Sequence, residues 1–280
     1  MEFRALLATV LLILGSTGLS TSDTRLEIEV SIPPVEWLVE QIGGDLVEVS
    51  VLVAPGESPA TYMPSDAQVT HLMRSRIFFR VGVPFEQGLW FDAISKMGRF
   101  DMVDLRDGID LRGDDPHIWL SPKLLSIQAA TVTDALSRAD PNGRVQYQAN
   151  LDRLDSRLEI LDEEIRRSLE PFKGRSFFVF HPSWGYFADE YGLQQVAIES
   201  AGREPSDQEL TRLQQEARQA GVGIVFVQPQ IQGRSAQAFA GAIGARIEIL
   251  DPLAADVAGN LAEVTARLIQ SFGEGADDEH

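Results

Sequence analysis

Short runs of valine, isoleucine, leucine and phenylalanine alternate with amphipathic segments along most of this chain. Such runs, bounded by glycine, proline or polar residues, predict buried strands. We expect strands at 26–32, 47–53, 77–81, 102–105, 176–180, 195–198, 223–227 and 246–250. Between them we expect helices at 34–42, 65–73, 206–220 and 234–243. Because strands that alternate with helices form parallel sheets through right-handed crossovers, the pattern predicts an α/β fold of two similar lobes, with helices flanking each parallel sheet.

A long amphipathic stretch at 140–170 lies between the two halves. Its apolar residues recur three or four positions apart, which predicts one helix of roughly seven or eight turns; they are Leu151, Leu154, Leu158, Leu161 and Ile165. Its length and central position favour a rigid helix that joins two lobes, and a packing helix within one larger domain is the alternative. We therefore predict a first lobe at 25–139, the connecting helix at 140–170 and a second lobe at 174–272.

The two ends of the chain have the composition of segments that lie outside the folded lobes. Charged residues at Glu2 and Arg4 precede an apolar run at 5–15, and small residues follow at 18–20. This order is typical of a secretory signal peptide, which we place at 1–20. The apolar run is shorter than the ~20 residues that a helix needs to cross a bilayer. The acidic tail at 273–280 is predicted to be disordered.

Composition favours an exported protein. The chain contains no cysteine, so we expect neither disulfides nor a lipid-modified cysteine, and the fold must be stabilised by burial. We therefore expect a free periplasmic protein that is not lipid-anchored. The formal net charge of −18 disfavours contact with nucleic acid or anionic membranes and attracts cations. Solubility alone is the simpler explanation of this charge, so it permits a cation-binding function without indicating one.

Two histidines and an aspartate lie where parallel sheets present their ligands. His117 ends the segment Asp-Pro-His at 115–117, His181 directly follows the strand at 176–180, and Asp251 directly follows the strand at 246–250. In open parallel sheets, ligands bind beyond the carboxyl ends of the strands. Imidazole and carboxylate groups suit zinc. We therefore predict a metal site in the cleft between the lobes.

Other interpretations of these residues stay open. A histidine after a strand is often only a hydrogen-bonded structural residue, and Asp251 would equally serve as the N-cap of a following helix. Gln228 also follows a strand, and because an amide oxygen is a weak zinc ligand we expect it to support the ligands by hydrogen bonding. His71 falls within the predicted helix 65–73, and we interpret it as a helix-surface or packing residue.

Motifs in a fixed order resemble the substrate-binding proteins of ABC importers for zinc and manganese. They span nearly the whole chain, at 31–34, 42–45, 115–122, 181–188, 191–193, 204–206 and 251–253. The resemblance implies two lobes joined by a rigid helix, with His117, His181 and Asp251 as metal ligands. A histidine at the position of His181 resembles the zinc branch, whereas a glutamate there resembles the manganese branch. It therefore implies Zn²⁺ rather than Mn²⁺ as the ion, and a membrane permease as the partner.

The chain departs from this family at the first ligand. The family usually has a proline-histidine pair in the loop after the second strand, whereas this chain has Pro59 followed by Ala60. An alanine cannot bind metal, so only three protein ligands remain, and water or a nearby carboxylate would complete the site. Glu57 lies in the same loop and is the best substitute, although its position is not that of the family's ligand.

Three functions are compatible with these residues. The leading hypothesis is a monomeric periplasmic zinc-binding protein, without enzymatic activity, that delivers metal to an ABC importer. A binding protein with altered specificity, for a metal chelate or another divalent ion, is the alternative that Ala60 supports. A zinc hydrolase would also use two histidines, one carboxylate and an open position. However, the sequence contains no His-Glu-x-x-His motif to support that class.

Overall fold

Two four-stranded parallel sheets organise the described part of the chain. The computed structural model describes residues 25–97, 99–199, 203, 205–230 and 234–274. The first sheet has the strand order β2-β1-β3-β4 and the second has the equivalent order β6-β5-β7-β8. The strands are β1 Leu26–Val30, β2 Val47–Val51, β3 Ile77–Arg80, β4 Asp101–Asp104, β5 Ser176–Val179, β6 Gln194–Ala197, β7 Ile224–Val227 and β8 Arg246–Ile249. All pairs within these sheets are parallel, which confirms the predicted α/β fold of two similar lobes.

Nine α-helices connect and flank these strands within the described residues. They are α1 Pro33–Gly43, α2 Asp66–Leu72, α3 Leu89–Met97, α4 Pro122–Ala139, α5 Arg144–Leu169, α6 Gly185–Tyr191, α7 Asp207–Gln219, α8 Arg234–Ile243 and α9 Val257–Glu274. The helices α3, α4 and α6 were not predicted, and α9 was expected only as a helix that follows Asp251. The start of α4 does carry a local signal, because Ser121 caps the backbone N–H of Leu124 and Pro122 occupies the first turn.

Serine caps define where two of the predicted helices begin. Ser65 accepts a hydrogen bond from the backbone N–H of Gln68, whose side chain accepts one in return from the N–H of Ser65. Ser206 and Glu209 form the same reciprocal pair at the start of α7. Each pair satisfies two N–H groups that have no partner inside the helix. These helices therefore begin where local sequence dictates.

The long helix α5 is bound to both lobes, as predicted for a connecting helix. Near its start, Asn150 donates a hydrogen bond of 2.7 Å to the carbonyl oxygen of Ile42 in α1. Near its end, Arg166 donates to the carbonyl oxygen of Glu190 in α6 at 3.1 Å and to its carboxylate at 2.6 Å. Contacts at both ends make the helix a fixed spacer between the sheets.

The hydrophobic core runs without interruption from one sheet to the other. One cluster of buried side chains includes Phe78 of the first sheet, Leu158 of α5 and Phe177 of the second sheet. A separate cluster fills the opposite face of the second sheet, around Phe178 and Phe239. The two lobes thus share one continuous core through α5, which opposes large independent movements of either lobe.

The predicted segments at the ends of the chain fall largely outside the described residues. The signal peptide assigned to 1–20 lies entirely outside them, as do residues 275–280 of the predicted tail. The last helix, α9, continues through Glu274. Within the part of the chain that the structure describes, no helix combines the length and the apolar composition needed to cross a membrane.

Candidate metal centre

His117 and His181 face each other across the two lobes. His117 precedes a short 3₁₀ turn, Ile118–Leu120, that follows the first sheet and leads into α4. His181 lies just beyond β5 of the second sheet. Their ring centroids are 5.4 Å apart, with an angle of 74° between the ring planes. The structure therefore brings together two of the three predicted ligands, at a spacing compatible with one shared ion.

A carboxylate holds the Nδ1 atom of each of these histidines. The Oδ1 atom of Asp115 lies 2.7 Å from Nδ1 of His117 and accepts the backbone N–H of the same residue at 3.0 Å. The Oε1 atom of Glu199 lies 2.5 Å from Nδ1 of His181. A carboxylate on Nδ1 selects the tautomer in which Nδ1 carries the proton and Nε2 carries the lone pair. Each Nε2 is thereby prepared to bind a cation.

Burial keeps His117 neutral. Its side chain is 12% exposed, compared with 24% for His181. Burial lowers the pKa of His117 below its ordinary value, and the opposing effect of the Asp115 carboxylate is not large enough to reverse this. Burial alone would raise the pKa of Asp115, but its hydrogen bond to His117 and the nearby charges leave that pKa below the usual value. The pair is therefore a neutral imidazole on an ionised carboxylate, the form that binds metal.

Asp251 follows β8, and its carboxylate is oriented by its own loop. Its Oδ1 atom accepts the backbone N–H of Leu253 at 2.9 Å and the side-chain amide of Gln230 at 3.2 Å. The side chain of Asn260 donates to the carbonyl oxygen of Asp251 at 2.8 Å. Asp251 lies six residues before the first residue of α9, Val257. The residue therefore forms a local turn and is not the N-cap of the next helix.

Trp119 links the His117 turn to the Asp251 loop. Its ring centroid lies 5.2 Å from that of His117. Its indole N–H donates to the carbonyl oxygen of Pro252, the neighbour of Asp251. This contact links the Asp251 loop to the turn that carries His117. Within the described ranges, however, no group of three or more His, Asp or Glu side chains is close enough together to hold a metal ion.

The remaining predicted residues have local partners. The side-chain oxygen of Gln228 lies 3.4 Å from the hydroxyl of Ser183, two residues after His181. Gln230, rather than Gln228, contacts Asp251. Glu57 is exposed and accepts the backbone N–H of Ala54 in its own loop at 3.1 Å. Ala60 is exposed in the same loop.

A third histidine shows the same carboxylate pairing. Nδ1 of His71 in α2 lies 2.7 Å from the carboxylate of Glu29 in β1, which is 3% exposed, whereas the His71 side chain is half exposed. Burial raises the pKa of Glu29 to about 7, and the hydrogen bond and charge of His71 limit that rise. His71 therefore lies on the helix surface, as interpreted from the sequence, with a specific partner.

Sequence reasoning missed the two carboxylates that contact Nδ1 of the predicted ligands His117 and His181. Asp115 carried a local signal, because an aspartate two residues before a histidine can accept both its backbone and its ring N–H. Glu199 carried none, because it reaches His181 only when β5 and β6 pair and bring together residues 18 positions apart. Both carboxylates belong to the candidate site.

The family model described as ZnuA, zinc-uptake complex component A, periplasmic, matches residues 28–271. The chain belongs to this family. Members are substrate-binding components of ABC transporters, so the protein is not an enzyme and the hydrolase hypothesis is wrong. Family membership also confirms the resemblance inferred from the motifs.

Individual relatives agree with this assignment. A putative metal-binding protein of Chlamydia trachomatis is 30% identical over 269 residues, covering 90% of this chain and 96% of that protein. The high-affinity zinc uptake system protein ZnuA of Bacillus subtilis is 25% identical over 253 residues, covering 82% and 79%. A crystal structure of ZnuA is 40% identical with a TM-score of 0.82, covering 88% of this chain and 99% of that one. A zinc-bound deletion mutant of ZnuA is 41% identical with a TM-score of 0.83, covering 88% and 98%.

Proposed function

We propose that this protein binds one zinc ion between its lobes and delivers it to the membrane permease of an ABC importer. The observation that carries the proposal is the pair of facing imidazoles, His117 and His181, whose ring centroids lie 5.4 Å apart. Each is held by a carboxylate on Nδ1. This arrangement fixes two imidazole nitrogen donors in advance, and zinc prefers such donors over oxygen-only sites.

Asp251 is the proposed third ligand. Its loop is held near His117 through Trp119 and Pro252, and its carboxylate supplies the negative charge that partly neutralises the ion. Manganese prefers more oxygen ligands, so we expect it to bind more weakly than zinc. Gln230 supports Asp251 by hydrogen bonding, whereas Gln228 bonds to Ser183 near His181.

The fourth coordination position is the feature that separates this chain from its family. Since Ala60 supplies no ligand, water or the Glu57 carboxylate completes the tetrahedron. Fewer protein ligands should weaken binding and speed release, which suits a protein that must hand its ion to a permease. We infer a periplasmic location and a signal peptide at 1–20 from the composition of the chain.

Altered specificity is the second candidate function, and Ala60 is the observation that favours it. A site without its fourth protein ligand leaves room for a donor brought by a bound chelator. Titration of the metal-stripped protein with zinc separates the two functions, because a chelate-specific protein would not bind free zinc.

The decisive experiment is a calorimetric titration of metal-stripped protein with zinc, repeated with manganese. We expect one zinc site, with a large loss of affinity in the His117→Ala and His181→Ala variants. His71→Ala is the matched control, since this histidine has the same carboxylate pairing but lies outside the proposed site. Absence of saturable zinc binding, or equal losses in all three variants, would overturn the proposal.

A further inference from the structure

A turn of the first lobe, residues 112–115, contacts helix α6 of the second lobe beside the candidate site. The hydroxyl of Tyr186 in α6 accepts the backbone N–H of Arg112 at 2.9 Å and donates to the carbonyl oxygen of Asp115 at 3.1 Å. Asp115 in turn donates its N–H to the carbonyl oxygen of Arg112. One hydroxyl therefore closes both ends of the turn 112–115, and Tyr186 is only 7% exposed.

The Arg112 side chain adds a second contact between the lobes. Its Nε atom lies 2.6 Å from the Asp189 carboxylate in α6, and its Nη1 atom lies 3.4 Å from the carboxylate of Asp115. The guanidinium lies directly on Gly185, where an added Cβ would come within 2.1 Å of Nη1. A residue other than glycine at 185 would therefore displace Arg112 from this position.

These contacts continue to a proposed metal ligand. Asp115, held by Tyr186 through its carbonyl oxygen, holds both the backbone N–H and Nδ1 of His117 through its carboxylate. Tyr186 lies five residues after His181 on the opposite lobe. The hydroxyl thus connects the lobe that carries His181 to the turn that orients His117.

We propose that Tyr186, assisted by Arg112, is a positioning residue that holds the His117 turn against the second lobe and thereby limits the rate of metal release. The proposal rests on the proposed function, because it concerns the same pair of imidazoles. An ion shared by His117 and His181 leaves when the two rings separate. That separation requires the contacts between the 112–115 turn and α6 to break.

The two contacts should contribute unequally. Arg112 and Asp189 have side chains that are 43% and 61% exposed, and exposed ion pairs contribute little because water screens them. The Tyr186 hydroxyl makes two hydrogen bonds from a buried position, where an unpaired polar group is costly. Removal of the hydroxyl should therefore have the larger effect.

The test measures zinc release by rapid mixing of the zinc-loaded protein with excess chelator. We expect Tyr186→Phe to release zinc about tenfold faster, because both hydrogen bonds of the hydroxyl to the 112–115 turn are lost. Arg112→Gln and Asp189→Asn should each give roughly a twofold increase. Arg212→Gln is the matched control, because Arg212 forms an exposed ion pair with Glu216 within α7 and should leave the rate unchanged.

A second measurement tests the proposal without zinc. Hydrogen exchange of the metal-free protein should become faster in the peptide that contains 112–117 in Tyr186→Phe, while the exchange of α7 stays the same.

A double variant tests whether Tyr186 acts through His117. In a His117→Ala background, Tyr186→Phe should have no additional effect on the rate of zinc release.

The outcomes separate this inference from the proposed function. Unchanged release and unchanged exchange in Tyr186→Phe would overturn the positioning role. Faster exchange in a protein that does not bind zinc would leave the positioning role intact and overturn the proposed function instead. A general increase in exchange over the whole chain would show that Tyr186 is only a structural residue.

Discussion

The indole N–H of Trp119 donates a hydrogen bond of 2.6 Å to the carbonyl oxygen of Pro252, 133 residues further along the chain. Trp119 lies two residues after His117, and Pro252 directly follows Asp251. The bond therefore joins the backbone segments that carry two proposed ligands from different lobes. Trp119 is almost completely buried, so water cannot replace the bond without cost.

Replacement of Trp119 should weaken both the fold and the metal site. In Trp119→Phe the carbonyl oxygen of Pro252 loses its buried donor, so we expect a loss of roughly 1–3 kcal/mol in the free energy of unfolding. The Asp251 loop should become less well placed, and zinc affinity should fall. Chemical denaturation and calorimetry measure the two effects. Trp37→Phe, in α1 outside the site, serves as the control, and equal zinc affinity in both variants would contradict the link between Trp119 and Asp251.

Restoration of the missing histidine should tighten zinc binding. In Ala60→His, a fourth protein ligand would replace water. We therefore expect the affinity for zinc to increase by about tenfold or more. A competition assay with a zinc chelator measures the change. Thr61→His, which places a histidine at the neighbouring position, is the matched control and should leave affinity unchanged. Equal affinities for the parent and Ala60→His would show that this loop lies outside the site.

Removal of the carboxylates that contact the two proposed ligands, His117 and His181, should weaken zinc binding although both histidines remain. We expect Asp115→Asn and Glu199→Gln each to lower affinity by about 10- to 100-fold, because the amide no longer selects the binding tautomer of the histidine. Glu29→Gln provides the control, since Glu29 makes the same bond to His71 outside the site. If all three variants bind zinc like the parent protein, the carboxylates do not prepare the imidazoles.

The buried carboxyl of Glu29 should make the stability of the protein depend on pH. Its pKa is raised from 4.5 to about 7 in the folded protein, mainly by burial. The folded state then retains a proton that the unfolded state has lost, so this contribution to stability is fully present below pH 4.5 and is lost as the pH rises to about 7. A shift of this size corresponds to at most roughly 3 kcal/mol.

Glu29→Gln removes the titrating group and should flatten the fall in stability between pH 4.5 and about pH 7. Thermal or chemical unfolding at several pH values measures this slope. Glu27→Gln, at an exposed position on the same strand, should retain the slope of the parent protein. An identical slope in Glu29→Gln would show that another group controls the dependence.

The sequence predicted the elements that depend on local patterns. Apolar runs located all eight described strands to within one or two residues, and the three- and four-residue spacing of leucines located α5. The bounds of α3, α4, α6 and α9 were not predicted, although the amphipathic patterns of α3 and α9 are at least as clear as that of α5. Two of these helices, α4 and α9, pack against α5, a contact that local spacing does not report.

The chemistry of the site divides in the same way. The sequence by itself determined the fold class, the family and the candidate ligands His117, His181 and Asp251, because strand ends and short motifs are local properties of the chain. Only the tertiary structure decided that Glu199 holds His181, that Gln230 contacts Asp251 and that Tyr186 crosses to the His117 turn. These contacts join residues 18, 21 and 71 positions apart. Such distances are closed only when strands pair and the lobes pack together, so their partners follow from the fold as a whole.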